Sequence, residues 1–398
     1  MHKVSFFPIE NADSCRITLS SEARILFDFC HRFKPGNGKY DLAGNIKADL
    51  IKRGKLLAEV VCFTHLDDDH CDGAEDFFYF NHAQKYQGQG RVEIGDLWVP
   101  AAAILETGLD DSARVIRQEA IHRLTKQKSG IKVFSRPGSL DDWLKARGVN
   151  PKDVAHLIVD AGTYVPGWKK GVQGVEFFVH SPFAMRQGDG APQSRNNNAI
   201  FVQATFQEGI RDTRLILSAD VDSDVISDIV KVSKYHQNEA RLGWDINNVP
   251  HHSSYKSLNA GGERCGAITP IDEVDWLYQQ GGKGGYLVST SKSIPSDCAE
   301  KMPPHKNAAD YYKERASEIE GKYVVTADFP TKAKPDEMVF EITSLGPKLI
   351  MQSGSVGSGG AISNPASRAG FWDWDRLGLV VVMVIGLLAW GRPISPRG

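Results

Sequence analysis

The chain predicts an α/β layered fold, and three observations carry that prediction. Short apolar or β-branched runs bounded by polar turns recur in both halves of the sequence. Segments with helical spacing lie between them, and strands interleaved with helices pack as stacked layers around a shared core. The 398 residues, 41% apolar and 24% charged, have ordinary globular composition and enough apolar material for that core. Length alone suggests two or three domains. Lys+Arg 47 against Asp+Glu 49 leaves a formal net charge of -2, so no global basic field holds nucleic acid and a polyanionic substrate would need a local site. A mean hydropathy of -0.31 excludes a polytopic membrane chain.

In order, residues 6–9, 15–19, 25–29 and 57–63 read as strands, with a helix over 41–52 between the third and fourth. Residues 77–144 differ in texture. They carry a helical segment at 110–126 and one strand signal at 131–134, and read as an inserted helical cap. Strands return at 154–159, 175–180, 199–206, 214–218, 244–249, 286–289, 323–326 and 338–343, with helices over 222–235 and 307–319. The N-terminus lacks the apolar core of a signal peptide. The six cysteines form no C-x-x-C pair, so reduced thiols in a cytosolic setting are the expectation.

Residues 346–370 read as a flexible linker, Gly- and Ser-rich from Gly354 onward. An uncharged run from Leu377 to Gly391 follows, flanked by Trp372, Trp374 and Trp390 as an interfacial aromatic belt would be. It is shorter than the roughly 20 residues usual for a span. Trailing a glycine-rich tether, it has no evident way to join the core, and residues 371–392 are expected to form a C-terminal anchor in the cytoplasmic (inner) membrane.

One block dominates the chemistry: Val60-Val61-Cys62-Phe63-Thr64-His65-Leu66-Asp67-Asp68-Asp69-His70-Cys71-Asp72-Gly73. A hydrophobic strand runs into crowded carboxylates and imidazoles. Such groups repel and desolvate one another unless a cation neutralises them, which is the arrangement a divalent metal requires. Three further apolar runs end alike, at Asp28, at Asp220, and at His251 and His252 after Pro250. A lone Asp after a strand is more often a cap or turn former. Their recurrence in one chain makes the set specific.

The sequence resembles the metallo-β-lactamase superfamily, and within it the ComEC-like hydrolase branch in a standalone form. His65-x-Asp67-x-Asp69-His70 corresponds to the superfamily's H-x-H-x-D-H with the branch's Asp at the second position. Asn11-Ala12-Asp13, Leu26-Phe27-Asp28, Asn196-Asn197-Asn198, Ser218-Ala219-Asp220, Pro250-His251-His252-Ser253-Ser254 and Pro304-His305 follow its other motifs in order. The chain departs from the pattern where His252-Ser253 stands for His-Gly, and no motif aligns within residues 77–144.

The resemblance implies a four-layer αββα metallo-β-lactamase fold over residues 1–345, with 77–144 as insertion. It also implies two divalent ions, Zn2+ or Mn2+, about 3.5 Å apart and sharing a bridging hydroxide. His65, Asp67 and Asp220 are the expected ligands of one; Asp69, His70, Asp220 and a histidine of the His251/His252 pair those of the other. Asp28 would orient a ligand histidine from behind. Asp69 and His305 are the candidate catalytic groups, His305 either donating to a developing oxyanion or being a surface residue. Asn196, Asn197, Ser253, Ser254 and Lys256 are candidate substrate contacts or plain turn residues. His180 is more simply a strand-end histidine than a ligand. The expected function is a phosphodiesterase or nuclease acting on nucleic acid or a nucleotide, with Lys126–Lys132, Arg136 and Trp168-Lys169-Lys170 as local cationic stretches. Lactone or ester hydrolysis, and an inert membrane-tethered binding module, are the alternatives.

Overall fold

A computed structural model describes residues 1–32, 39–184 and 194–351. Strand positions alternate between two faces, and this alternation builds the layers. In β1 (His2–Phe6), β2 (Cys15–Thr18), β3 (Arg24–Phe27) and β4 (Leu57–Cys62), the residues Ile25, Phe27, Val60 and Cys62 face one core while Leu26, Ala58 and Val61 face another. β5 (Glu93–Pro100), β6 (Ile131–Phe134) and β7 (Ile158–Val159) extend the sheet in parallel beyond β4.

A second sheet holds β8 (Val175–Ser181), β9 (Phe201–Glu208), β10 (Arg211–Leu217), β11 (Trp244–Asn248), β12 (Gly281–Ser289) and β13 (Lys322–Val325). β14 (Pro330–Thr331) and β15 (Lys334–Pro335) form a small ribbon. β16 (Met338–Thr343) and β17 (Gly346–Ile350) return to the first sheet beside β1. The first sheet thus runs β17-β16-β1-β2-β3-β4-β5-β6-β7 and the second β13-β12-β11-β10-β9-β8.

Three cores follow. Phe6, Phe27, Trp98, Phe177, Leu215 and Leu217 fill the space between the sheets. The helices Leu42–Lys52, Asp111–His122 and Gly138–Lys145 cover the outer face of the first sheet. Ser223–Tyr235, Asp272–Tyr278 and Lys306–Glu318 cover that of the second. This is the four-layer αββα arrangement that the sequence predicts. β3 and β4 are parallel, as are β10 to β13. Chemistry on an open α/β sheet gathers at the carboxyl ends of such strands, and the His/Asp motifs lie there.

Three expectations are corrected. Residues 77–144 are not an inserted cap: β5 and β6 lie inside the nine-stranded sheet, and the fully buried Trp98 of β5 packs edge-on against Phe27 and Phe177 between the sheets. β5 escapes a sequence reading because Glu93, Gly95 and Asp96 break its apolar pattern. Gly95 is required there, since a Cβ would stand 2.6 Å from the Glu59 carbonyl oxygen of β4. Buried Glu119 and Arg123 bind the region further. Arg123 donates to Glu119 (2.7 Å) and to the carbonyls of Ile94, Gly95 and Gly130, while Glu119 accepts from Asn81 and His82.

The linker begins later than residue 346, because Gly346–Ile350 pairs with β16 as a strand. The thiols are not all reduced: Cys265 and Cys298, 33 residues apart, form a disulfide, whereas Cys15, Cys30, Cys62 and Cys71 are free and buried. Nothing in their spacing announces that pair; loops of the second sheet bring their Cα atoms to 5.5 Å. Among the described residues no helix is long and apolar enough to cross a membrane. The Leu377–Gly391 run and its proposed anchor lie outside the described residues.

Truncating Trp98 tests the integral position of β5. Trp98→Ala should destabilise the protein by about 3–5 kcal/mol, the cost of emptying a packed aromatic site, read by urea denaturation. A loss under about 1 kcal/mol would fit a peripheral cap instead.

Candidate metal centre

Asp28 follows β3 in a left-handed conformation (φ 58°), turning its carboxylate toward the end of β4. Its Oδ1 accepts the Thr64 amide at 2.7 Å, and its Oδ2 accepts the Thr64 hydroxyl at 2.7 Å and His70 Nδ1 at 2.8 Å. A hydroxyl has one proton to donate. Having given it to Asp28, Thr64 Oγ1 accepts from His65 Nδ1 at 3.1 Å. His252 Nδ1 donates to the Thr290 carbonyl at 2.9 Å. All three rings are therefore held by Nδ1, leaving Nε2 to act as ligand.

Asp69, His70, Asp220 and His252 bring one ligand atom each to within 4.8 Å of one another. His70 Nε2 and Asp220 Oδ1 stand 3.2 Å apart, and both are buried without a hydrogen-bond partner, as is His65 Nε2. His252 Nε2 lies 3.3 Å from Asp69 Oδ2 and 3.7 Å from Asp220 Oδ2. Orphaned buried polar atoms are costly, and a shared cation would satisfy them together. Two imidazoles and two carboxylates suit a divalent metal and, lacking thiolate, do not select among Zn2+, Mn2+ and their neighbours.

Electrostatics agrees with the geometry. Burial alone would keep the His70 ring neutral, yet Asp220 and Asp28 outweigh it and raise its pKa well above the ordinary imidazole value. His252 is pushed up to about 9 against burial by Asp220 and Asp69. Asp220 resists burial in turn, held well below the usual carboxylate range by His252, His70 and His251. The cluster thus favours positive charge at its centre, which a bound cation would supply.

The other sequence candidates fall into three groups. His251, at the mouth, lies outside the four-ligand group: its Nε2 is 3.8 Å from Asp220 Oδ2 and its Nδ1 3.8 Å from Asp222 Oδ1. Between the paired histidines, the geometry therefore selects His252. Asp67 Oδ2 is 3.4 Å from His65 Nε2, but Asp67 Oδ1 accepts a 2.7 Å hydrogen bond from Arg195. Asn196 and Asn197 sit on the turn Arg195–Asn198 beside that contact, with Asn197 Oδ1 buried and unpartnered.

Among the remaining candidates, Ser253 and His305 are engaged by the protein itself, and His180 is the strand-end histidine expected. Ser253 Oγ is bonded at 2.8 Å to both Ser289 Oγ and Tyr323 OH, and Ser254 Oγ accepts from the Lys256 amide. The Ser253 hydroxyl is thus committed inside the protein, whereas Ser254 is buried and its hydroxyl accepts the amide two residues on. His305 is buried rather than at the surface, and both its nitrogens are engaged: Nδ1 accepts from the Tyr255 amide at 3.4 Å and Nε2 donates to the Lys301 carbonyl at 3.3 Å. It braces the loop after β11 against the helix Lys306–Glu318. Lys256 is exposed. His180 bonds the Arg241 carbonyl at 3.0 Å and takes no part in the cluster.

Sequence reading overlooked Asp13, Thr64, Thr290 and Arg195 as site residues. Buried Asp13 accepts from the Thr290 hydroxyl and lies 3.9 Å from His252 Nδ1. Its place in the Asn11-Ala12-Asp13 turn was the available signal; a lone threonine or arginine leaves none.

No family model matches this chain, and no curated protein matches it. Among solved structures, one described as a new diphosphatase from the PhnP family is similar over 85% of this chain and 98% of its own, at 9% identity and a TM-score of 0.30. So distant a likeness carries no argument here, and the reading of the site rests on its own geometry.

Asp28→Asn tests the orienting role, because the amide cannot accept from Thr64 and His70 together as the carboxylate does. Metal affinity should fall by about 10- to 100-fold with the fold retained, measured by isothermal titration of the metal-stripped protein. Unchanged affinity would show that His70 needs no such support.

Proposed function

We propose that this chain is a metal-dependent hydrolase of phosphate esters. The carrying observation is the convergence of Asp69, His70, Asp220 and His252, with Nε2 of His70 and Oδ1 of Asp220 buried and unpartnered. When bound, a divalent ion there supplies Lewis acidity and lowers the pKa of a coordinated water. The chain's own residues do the rest. Asp28, Thr64 and Thr290 fix the ring tautomers, while the closed sheet interface keeps bulk water from the cluster's inner side. Asp69, 29% exposed at the open side, is the carboxylate placed to orient an incoming water.

Phosphodiester substrates and the ComEC-like branch are the finer form of this reading, supported by the sequence motifs. The cationic stretches give a long polyanion little help: Lys128 pairs with Asp153 at 3.2 Å, Arg136 with Asp141 at 3.0 Å and Lys170 with Asp212 at 2.5 Å. These pairs take up part of each stretch's charge, and a duplex needs a continuous basic track, so short phosphodiesters or nucleotides fit better than duplex DNA.

The test is a screen of the metal-loaded protein on a bis-aryl phosphodiester, cyclic dinucleotides, RNA, single- and double-stranded DNA and a lactone. Phosphodiester cleavage that disappears in an Asp69→Ala, His70→Ala protein of unchanged fold is the expected result. Cleavage of the lactone alone would move the reading to carboxylic esters, and no turnover by either protein would leave an inert metal module.

We also propose that residues 371–392 tether the domain to the cytoplasmic membrane, on the strength of their apolar run and flanking tryptophans. Deleting from Phe371 onward should shift the protein to the soluble fraction, and unchanged partition would refute the tether.

A further inference from the structure

We infer that this chain holds one tightly bound divalent cation, in the Asp69, His70, Asp220 and His252 shell, and that the Arg195 guanidinium stands at Asp67 in place of a second. The inference rests on reading the cluster as a metal centre and concerns how many ions that centre takes.

Charge is the first argument. The four-residue shell contains two carboxylates, Asp69 and Asp220, which together balance one divalent ion. The other cluster of potential ligands, Asp13, Asp28 and His70, shares His70 and has its carboxylates bonded to Thr290, Thr64 and the His70 ring, so a second ion would have to rest on His65 Nε2 and Asp67 Oδ2, 3.4 Å apart. The carboxylate it needs is already neutralised by Arg195, whose Nη1 lies 2.7 Å from Asp67 Oδ1. Guanidinium stays protonated at every relevant pH, so an ion approaching Asp67 meets a fixed positive charge.

Ligand count is the second. Among the described residues, the groups of three or more potential ligands include neither His65 nor Asp67. His180, the strand-end histidine that might have completed a shell with them, is held by the Arg241 carbonyl. His65 keeps an unpartnered Nε2, and with Asp67 it could complete a second shell only by sharing Asp220 and by Arg195 releasing the Asp67 carboxylate.

Arg195 is also built into its place. Nη1 donates to the Leu66 carbonyl at 3.1 Å as well as to Asp67, and Nε and Nη2 reach Glu106 Oε1 at 2.8 and 2.7 Å. The turn that carries it is pinned to the motif loop by the Ile200 amide, which donates to the Thr64 carbonyl at 3.0 Å. Glu106 thus holds the guanidinium from one side while Asp67 and Leu66 hold it from the other.

The experiment counts metal rather than turnover. Full-length protein is stripped with chelator, dialysed against Zn2+ or Mn2+ alone and analysed for bound metal, with circular dichroism confirming the fold of each variant. Wild type should bind one tight equivalent, Asp220→Asn should lose it, and Asp67→Asn should keep it. Arg195→Gln, which removes the positive charge, should admit a second equivalent. Two tight equivalents in wild type, loss of an equivalent in Asp67→Asn, or a folded Arg195→Gln protein that still binds one would each overturn the inference. A protein that binds one ion yet hydrolyses nothing overturns the proposed function and leaves this inference standing; one that binds two and hydrolyses does the reverse.

Discussion

A single buried carboxylate organises the centre. Asp28 accepts the amide and hydroxyl of Thr64 and the Nδ1 proton of His70. Through the Thr64 hydroxyl its influence extends to His65. Two imidazoles on the β4 loop thereby present Nε2 because one side chain on the neighbouring strand has satisfied their other nitrogens. This works because β3 and β4 are parallel and adjacent, so the loops that follow them leave the sheet at the same edge. A carboxylate in water would be a weak organiser; here burial strengthens each of its hydrogen bonds.

Backbone strain gathers at the same place. Asp28, Ala219, His251, His252 and Ser253 all adopt left-handed conformations without being glycine. Each such residue costs on the order of 1–3 kcal/mol and persists only where its surroundings over-determine it. The run of three after β11 turns His252 inward beneath Asp220. Ser253 occupies a position suited to glycine, and its hydroxyl offsets the strain through bonds to Ser289 and Tyr323. His305 assists from outside, its amide donating to the Ser253 carbonyl and its ring accepting the Tyr255 amide. The histidine that sequence order makes a catalytic candidate is thus part of the frame that holds another histidine in place.

Charge is balanced locally at the site and at several exposed pairs. The site concentrates Asp67, Asp69 and Asp220 against three imidazoles and Arg195, while Lys128, Arg136 and Lys170 pair with nearby carboxylates. A near-zero net charge is therefore not an average over a basic half and an acidic half. Under the proposed function, the cation centre is then the attraction for an anionic substrate.

The sequence by itself determined the layered α/β class, the strand-end positions of Asp28, His65, Asp69, His70, Asp220 and His252, and the metal chemistry these residue types imply. All of these are local: period-two burial, apolar runs, and ligands crowded where a strand ends. Tertiary structure decided the rest, because each remaining question was one of distance between segments remote in the chain. It drew β5 into the first sheet despite Gly95 and Asp96, joined Cys265 to Cys298, and preferred His252 to its neighbour by which ring turns toward Asp69. It committed Ser253 and His305 to the frame, and it brought Arg195, 128 residues from Asp67, against a carboxylate that the motif alone assigns to a metal. A pattern can name which groups want a cation; only packing decides whether that cation is a metal ion or a guanidinium.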